Sequence, residues 1–271
     1  STMNVDSVLT ATVSSTVASG QGGAITFGIA AGSGSATVNS RTGLIRAIGA
    51  GTVILIAKSA GDSNYLAAST SRVITIGKTT PTLMITSNNV TLVDGVLMTR
   101  ILTTASHNIG VLSYIITNSS AGSAIVNVDT GLIYALSAGT VILKVTSAGN
   151  ADYASVSASQ LITIGQSTPT LTITSANSLV VDATLTATVN TTATYGRGGS
   201  IVFAISSGSG SATVDPNTGL IRAISAGTIT LSALSAGDAD YYGAITSQLI
   251  TIKPHVLMSA SLPDSISDGK D

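Results

Sequence analysis

Apolar and hydroxyl-bearing residues alternate in short runs along most of the chain. Residues 170–174 read TLTIT, 185–189 read LTATV, and SIVFAIS over 200–206 sets Ile201, Phe203 and Ile205 on one face. A period of two over four to eight residues marks a strand with one buried face. SATV (211–214) then meets the turn DPNTG, where Pro216 pre-sets the turn and Gly219 supplies a positive φ. LIRAI, GTITLSAL and AITSQLITI follow. About seven strands with turns every 8–12 residues predict an all-β sandwich. No apolar period of 3.6 lasts long enough for a helix, and β-branched neighbours favour strand for LIRAI.

The pattern is written three times. Gly43, Gly131 and Gly219 of the TGLI motif are 88 residues apart (131 − 43 = 219 − 131 = 88). The same spacing relates Ala50, Ala138 and Ala226 of AGT, and Tyr65, Tyr153 and Tyr241 after SAG. Asp6, Asp94 and Asp182 share it too. A module of 88 residues is large enough to close its own core, so the array reads as whole domains in tandem, not as a stacked solenoid. TGLI and AGT are structural punctuation around core strands. One position tests the alignment. Phe27 and Phe203 are 176 residues apart, yet the residue midway is Ile115. A shift by one puts Leu112, Tyr114 and Ile116 on the core face, with compensating changes in the flanking loops. That is the better solution, because a strand that slips by one turns its core face to water.

SATVDPNTGLIRAISAGTITLSALSAGDADY (211–241) resembles the signature half of a bacterial immunoglobulin-like domain of the group 2 type. It has a strand ending in ATV, a D-x-x-TG turn and a GT-x-x-(I/L) strand. The resemblance extends over all three copies. It implies three tandem immunoglobulin-like β-sandwiches, export to the bacterial cell surface, and a spacer or adhesive role in an adhesin or filament. It carries no catalytic residue with it. The chain departs from the family's common pattern in having no Trp and few charges.

Composition narrows the function classes. Charged residues are 8%, every acidic residue is Asp, and the net charge is −1. Such a surface does not steer nucleic acid or anionic lipid. Aromatic residues are 3%, too few for a base-stacking platform or for the girdles of a membrane barrel. The apolar runs fall far short of the roughly 18 residues of a spanning helix. With no Cys there is no disulfide framework. Few charges and many small residues also leave little to prevent lateral self-association.

Candidate chemistry is sparse. His107 and His255 are the only histidines and neither recurs, and no spacing places a Ser-His-Asp triad. The expectation is a protein without catalytic residues and without a cofactor. The loops GDSNY, GNADY and GDADY place Asp62 and Asn64, Asn150 and Asp152, and Asp238 and Asp240 two residues apart. Alternating oxygens suit Ca²⁺, but a calcium site takes six or more, and each loop supplies two or three. The favoured reading is an Asx turn with the tyrosine packed over the end of the sandwich.

These observations predict modules over 1–77, 78–165 and 166–253. The first lacks its opening strand, and 254–271 reads as the opening strand of a following module or a donor strand. Pro254, Val256 and Met258 then match Pro169, Leu171 and Ile173. The partners expected are neighbouring domains of the same or an identical chain. Linkers of four or five residues, stiffened by Pro81 and Pro169, predict a restricted angle between modules.

Overall fold

The computed structural model describes residues 1–18, 21–118 and 120–256. The strand expected from Pro254 lies, beyond Val256, outside the described residues. The chain divides into two compact units: Ser1–Thr91 with Gly95–Ile164, and Leu92–Asp94 with Gly165–Asp271.

In the first unit, the first repeat contains β1 (Thr2–Asn4), β2 (Val8–Thr10), β3 (Ile25–Ala30), β4 (Ser35–Val38), β5 (Leu44–Gly49), β6 (Gly51–Ser59) and β7 (Ala68–Gly77). They form a four-stranded sheet β1-β7-β6-β3 and a three-stranded sheet β2-β5-β4. The second repeat contains β8 (Leu83–Ile85), β9 (Val90–Leu92), β10 (Val96–Met98), β11 (Ile101–Thr103), β12 (Leu112–Asn118), β13 (Ser123–Val126), β14 (Leu132–Ser137), β15 (Gly139–Ser147) and β16 (Val156–Gly165). Its sheets are β12-β15-β16-β9 and β10-β14-β13, with β8 paired to β11.

The second unit repeats the plan with β17 (Leu171–Ile173), β18 (Ser178–Val180), β19 (Thr184–Thr186), β20 (Val189–Thr191), β21 (Ile201–Ser207), β22 (Ser211–Val214), β23 (Leu220–Ser225), β24 (Gly227–Ser235) and β25 (Ala244–Lys253). Sheets β18-β25-β24-β21 and β19-β23-β22 enclose one core, and β17 pairs with β20. Phe203, Ile221, Ile229, Leu231, Ile250 and Ile252 fill that core. Burying each such side chain contributes about 1.5–3 kcal/mol.

Two features differ from the alternation reading. LTATV is not one strand: Thr184–Thr186 pairs with β23, and Val189–Thr191 pairs with β17. Ala187 donates its N–H to the Gly219 carbonyl at 2.8 Å, where pairing passes from one neighbour to the other. Side-chain alternation continues through the switch, because it reports which face a residue takes and not which strand it bonds. A further short strand, Ser178–Val180, runs parallel to β25, and β1 runs parallel to β7 in the same way.

Tyr114 lies opposite Val145, as Phe27 lies opposite Ala57 and Phe203 opposite Ala233. The three aromatics therefore occupy one register, and Ile115 faces out. Gly43, Gly131 and Gly219 have φ near +70°, and a Cβ on Gly219 would lie 2.9 Å from the Phe203 ring. The TGLI glycine thus serves both the turn and the aromatic ring beneath it. Asp215 holds that turn by accepting the N–H groups of Asn217 and Thr218 at 2.9 and 2.8 Å.

Candidate functional site

The GNADY loop builds a connected polar cluster in the first unit. Asn150 Oδ1 accepts the N–H groups of Asp152 and Tyr153 at 2.8 and 2.9 Å, closing an Asx turn. That turn carries Tyr153 into a fully buried position at the end of the first repeat's core, in one cluster with Met3, Val5 and Ile109. Its hydroxyl donates to Asp6 Oδ2 at 2.7 Å and accepts the Ser106 N–H at 3.1 Å. Ser106 Oγ donates to the other oxygen of Asp6. Asp6 itself sits at φ +66°, on the turn between β1 and β2.

The linker and the second loop carboxylate add to this junction. Thr79 donates its N–H to the Asp152 carbonyl at 3.1 Å, accepts the Ala154 N–H at 2.9 Å, and donates Oγ1 to the Val5 carbonyl. Lys78 Nζ reaches the Asn150 carbonyl. Asp152 Oδ1 accepts the N–H of Ala50, in the AGT motif of the first repeat, at 2.7 Å. Asp152 Oδ2 lies 3.1 Å from His107 Nε2.

Two carboxyls of the junction are held below their ordinary value of 3.8. At Asp6 burial pulls upward, but the hydroxyls of Ser106 and Tyr153, the Ser106 N–H and the His107 charge outweigh it. At Asp152 the Ala50 N–H leads and His107 adds to it, against desolvation.

Within the second unit the same lock recurs. Tyr241, buried like Tyr153, donates to Asp94 Oδ2 at 2.6 Å, and Thr194 Oγ1 donates to Asp94 Oδ1 at 2.8 Å. Thr194 also gives its N–H to the Tyr241 hydroxyl at 3.0 Å. Asp94 shares the positive φ of Asp6. Tyr65, the counterpart in the first repeat, is 38% exposed, and its hydroxyl donates to Gln21 Oε1 at 3.2 Å.

Ser106, His107 and Asp152 are the residue types of a nucleophilic triad, with Ser106 Oγ 3.1 Å from His107 Nδ1. The arrangement serves the junction. The serine hydroxyl gives its proton to Asp6 and not to His107. Thr194 makes the same bonds in the second unit, where Tyr195 stands in place of the histidine.

Three of the metal candidates, Asp62, Asn150 and Asp238, hold turns. Asp62 Oδ1 accepts from Asn64 and Tyr65, and Oδ2 from Gly22. Asp238 Oδ1 accepts from Asp240 and Tyr241, and Oδ2 from Gly198. Asp240 pairs with Arg197 at 2.8 Å. Among the described residues no three His, Asp, Glu or Cys side chains gather in a metal-binding group. Sequence reasoning used Asp6, Asp94 and Asp182 only as register marks. The missed signal is a second constant spacing: Asp6 to Tyr153 and Asp94 to Tyr241 are each 147 residues.

Paired sheets over apolar cores, repeated in tandem with aromatic-on-glycine turns, define the class by fold: tandem immunoglobulin-like β-sandwiches. Residues 167–240 match the family described as bacterial Ig-like domain (group 2). No curated protein matches the chain. Solved structures similar to it include immunoglobulin domains 1–5 of Sidekick-1. That likeness has 14% identity and a TM-score of 0.31, covering 85% of this chain and 52% of that one. The chain thus spans about half of that structure. The full ectodomain (Ig1–Ig3) of mouse nectin-like molecule 4 is similar at 14% identity and TM-score 0.29, covering 98% of this chain and 99% of that one. The Bacteroides ovatus glucan-utilization protein SGBP-B is similar at 14% identity and TM-score 0.22, covering 93% of this chain and 65% of that one. These are likenesses of fold alone. Among the described residues no helix is long and apolar enough to cross a membrane.

Proposed function

We propose that the chain is a non-enzymatic spacer array of a bacterial cell-surface adhesin or filament, with modules over 1–77, 78–165 and 166–253. The observation that carries this reading is the Tyr153 junction. A buried tyrosine, a paired carboxylate and an ordered linker hold the second repeat against the first. A junction built this way resists bending, which a stalk needs and a string of independent binding modules does not. The bonds at its heart come from groups that a catalytic site would need free.

Two measurements test the proposal. In nuclear magnetic resonance of the full chain, residues 1–77 and 83–164 are expected to share one alignment tensor from residual dipolar couplings. Independent tensors would remove the rigid-spacer reading. Brief protease treatment of intact producing cells is expected to release fragments of the array. Protection until the cells are lysed would remove the surface assignment.

A further inference from the structure

One outward face of the second repeat differs from its counterparts position by position. β10 and β11 follow one another within residues 96–103, and alternation turns Val96, Met98, Arg100 and Leu102 outward. Val96 lies opposite Tyr134 of β14, which lies opposite Ile125 of β13, so these three form one row across the sheet. Leu102 lies opposite Met84 of β8. Arg100 aside, these six side chains are apolar or aromatic, and each is 43–62% exposed.

In the second unit the same register holds Thr184, Arg222 and Thr213 across the row, and Thr172 opposite Asn190. Thr186 and Thr188 stand where Met98 and Arg100 stand. The first repeat keeps Arg46 opposite Thr37, and Thr10 in the place of Met98. Relative to the third repeat, all six positions exchange a polar side chain for an apolar or aromatic one, and an arginine is set among them. Leu132, opposite Met98, records the result. It is half-buried, whereas the equivalent Leu44 and Leu220 are 47% and 46% exposed. The core gains nothing from these exchanges, because each of them points outward.

We propose that this face binds the same face of a second copy of the chain in a two-fold pair; the proposal does not rest on the spacer reading. Composition points to a protein partner, since Met, Tyr and Arg are enriched, and acidic residues depleted, at the centres of interfaces. Six side chains so exposed present on the order of 600 Å². That is the top of the roughly 300–600 Å² of a monomer's largest apolar patch, and most of the roughly 800 Å² that each partner gives a standard interface. The position of the charge selects a second copy. Arg100 and Val96 lie about 7 Å to either side of Met98 along the strand, at about 3.4 Å per residue. A two-fold axis crossing the strands at the Met98–Leu132 row therefore sets Arg100 of each copy over the Val96–Tyr134 row of the other. A guanidinium over an aromatic ring is favourable, and the symmetry makes that contact twice while keeping the two arginines apart. Among the described residues the first and third repeats keep Arg46 and Arg222 in the place of Tyr134. The contact is then isologous and closes at two copies.

The test is sedimentation velocity of the full chain over a range of concentrations. A reversible equilibrium between monomer and dimer is expected, with no larger species. Tyr134→Arg combined with Met98→Thr installs what the third repeat carries at the same positions, so the fold has its own precedent for both. The double variant is expected to weaken dimerisation at least ten-fold with unchanged circular dichroism. Leu249→Thr removes a side chain 61% exposed on β25, and is expected to leave the dimer as it is. The chain has no cysteine, so single thiols map the contact. Met98→Cys, on the proposed axis, is expected to cross-link to a second copy through a short bismaleimide at least ten times faster than Thr186→Cys. The proposal falls if the chain stays monomeric up to millimolar concentration, since the face would then take a different partner. It falls equally if the double variant dimerises as well as the native chain, if Leu249→Thr abolishes the dimer, or if Thr186→Cys cross-links as fast. Association that passes beyond two copies and survives the double variant would place the self-contact elsewhere and overturns it too.

Discussion

Replacing Tyr153 by Phe deletes one oxygen from the centre of the junction and leaves the ring in place. That oxygen donates to an ionised carboxylate, Asp6, at 2.7 Å and accepts the Ser106 N–H at 3.1 Å. A hydrogen bond to a charged group contributes about 1.5–3 kcal/mol net. The aromatic burial is unchanged, so the loss is expected near 2 kcal/mol. The same exchange at Tyr65 is an internal control, because that side chain is partly exposed and its hydroxyl meets a neutral amide. Tyr65→Phe is expected to cost under about 0.5 kcal/mol. A multi-domain chain has no single unfolding free energy, so a local assay is needed. The amides of Thr79 and Ala154 tie the linker to the GNADY loop at the junction and report the opening of that contact through hydrogen exchange. A loss of about 2 kcal/mol accelerates their exchange roughly 30-fold, at tenfold per 1.36 kcal/mol. Combining Tyr153→Phe with Asp6→Asn should cost about 1–2 kcal/mol less than the sum of the single effects, since both remove the same bond. An acceleration under about two-fold, or an equal effect from Tyr65→Phe, would show that packing alone closes the junction.

Three further outcomes are expected. Phe203→Ala should destabilise its domain by about 3–5 kcal/mol, and Phe27→Ala by less because Phe27 is only half-buried; equal losses, measured by hydrogen exchange of the core-strand amides of each domain, would contradict the packing described. Because Asp6 and Asp152 have lowered pKa values in the folded chain, their stabilisation is present above the unfolded value near 4 and is lost as pH falls through the lower folded values. Thr79 and Ala154 protection should therefore fall below about pH 4, and Asp6→Asn should flatten that dependence; an unchanged profile would remove Asp6 from the lock. Chelation by EDTA should leave the melting temperature unchanged, because the Oδ1 atoms of Asp62, Asn150 and Asp238 each hold two backbone N–H groups; a reversible shift of several degrees restored by Ca²⁺ would overturn this.

The fold was largely legible because alternation reports burial directly. SIVFAIS and GTITLSAL declare their inner faces, and a tandem repeat supplies three readings of each position. The sheet switch inside LTATV was not legible, since Leu185, Ala187 and Val189 keep one phase while their backbone partners change. The short parallel strands were missed for a related reason: three residues are too few to show a period. The junction was half legible. The recurring tyrosine was visible, and the Asx turn beneath it followed from spacing. Its partner was not, because Asp6 and Tyr153 belong to different repeats, and a period of 88 hides a contact that spans 147 residues.

The lock described at Tyr153 and Tyr241 divides its two halves between successive copies of the motif, and every copy carries both halves. An in-frame excision or duplication of 88 residues therefore regenerates a complete lock where Ser106 or Thr194 stays ahead of its tyrosine; Ala18, the first copy's equivalent, has no hydroxyl to give. Gene length can then drift by whole repeats through unequal recombination, with such products inheriting working locks. The length of the array then changes by repeat number alone, while the chemistry of the lock stays fixed by three side chains and a turn.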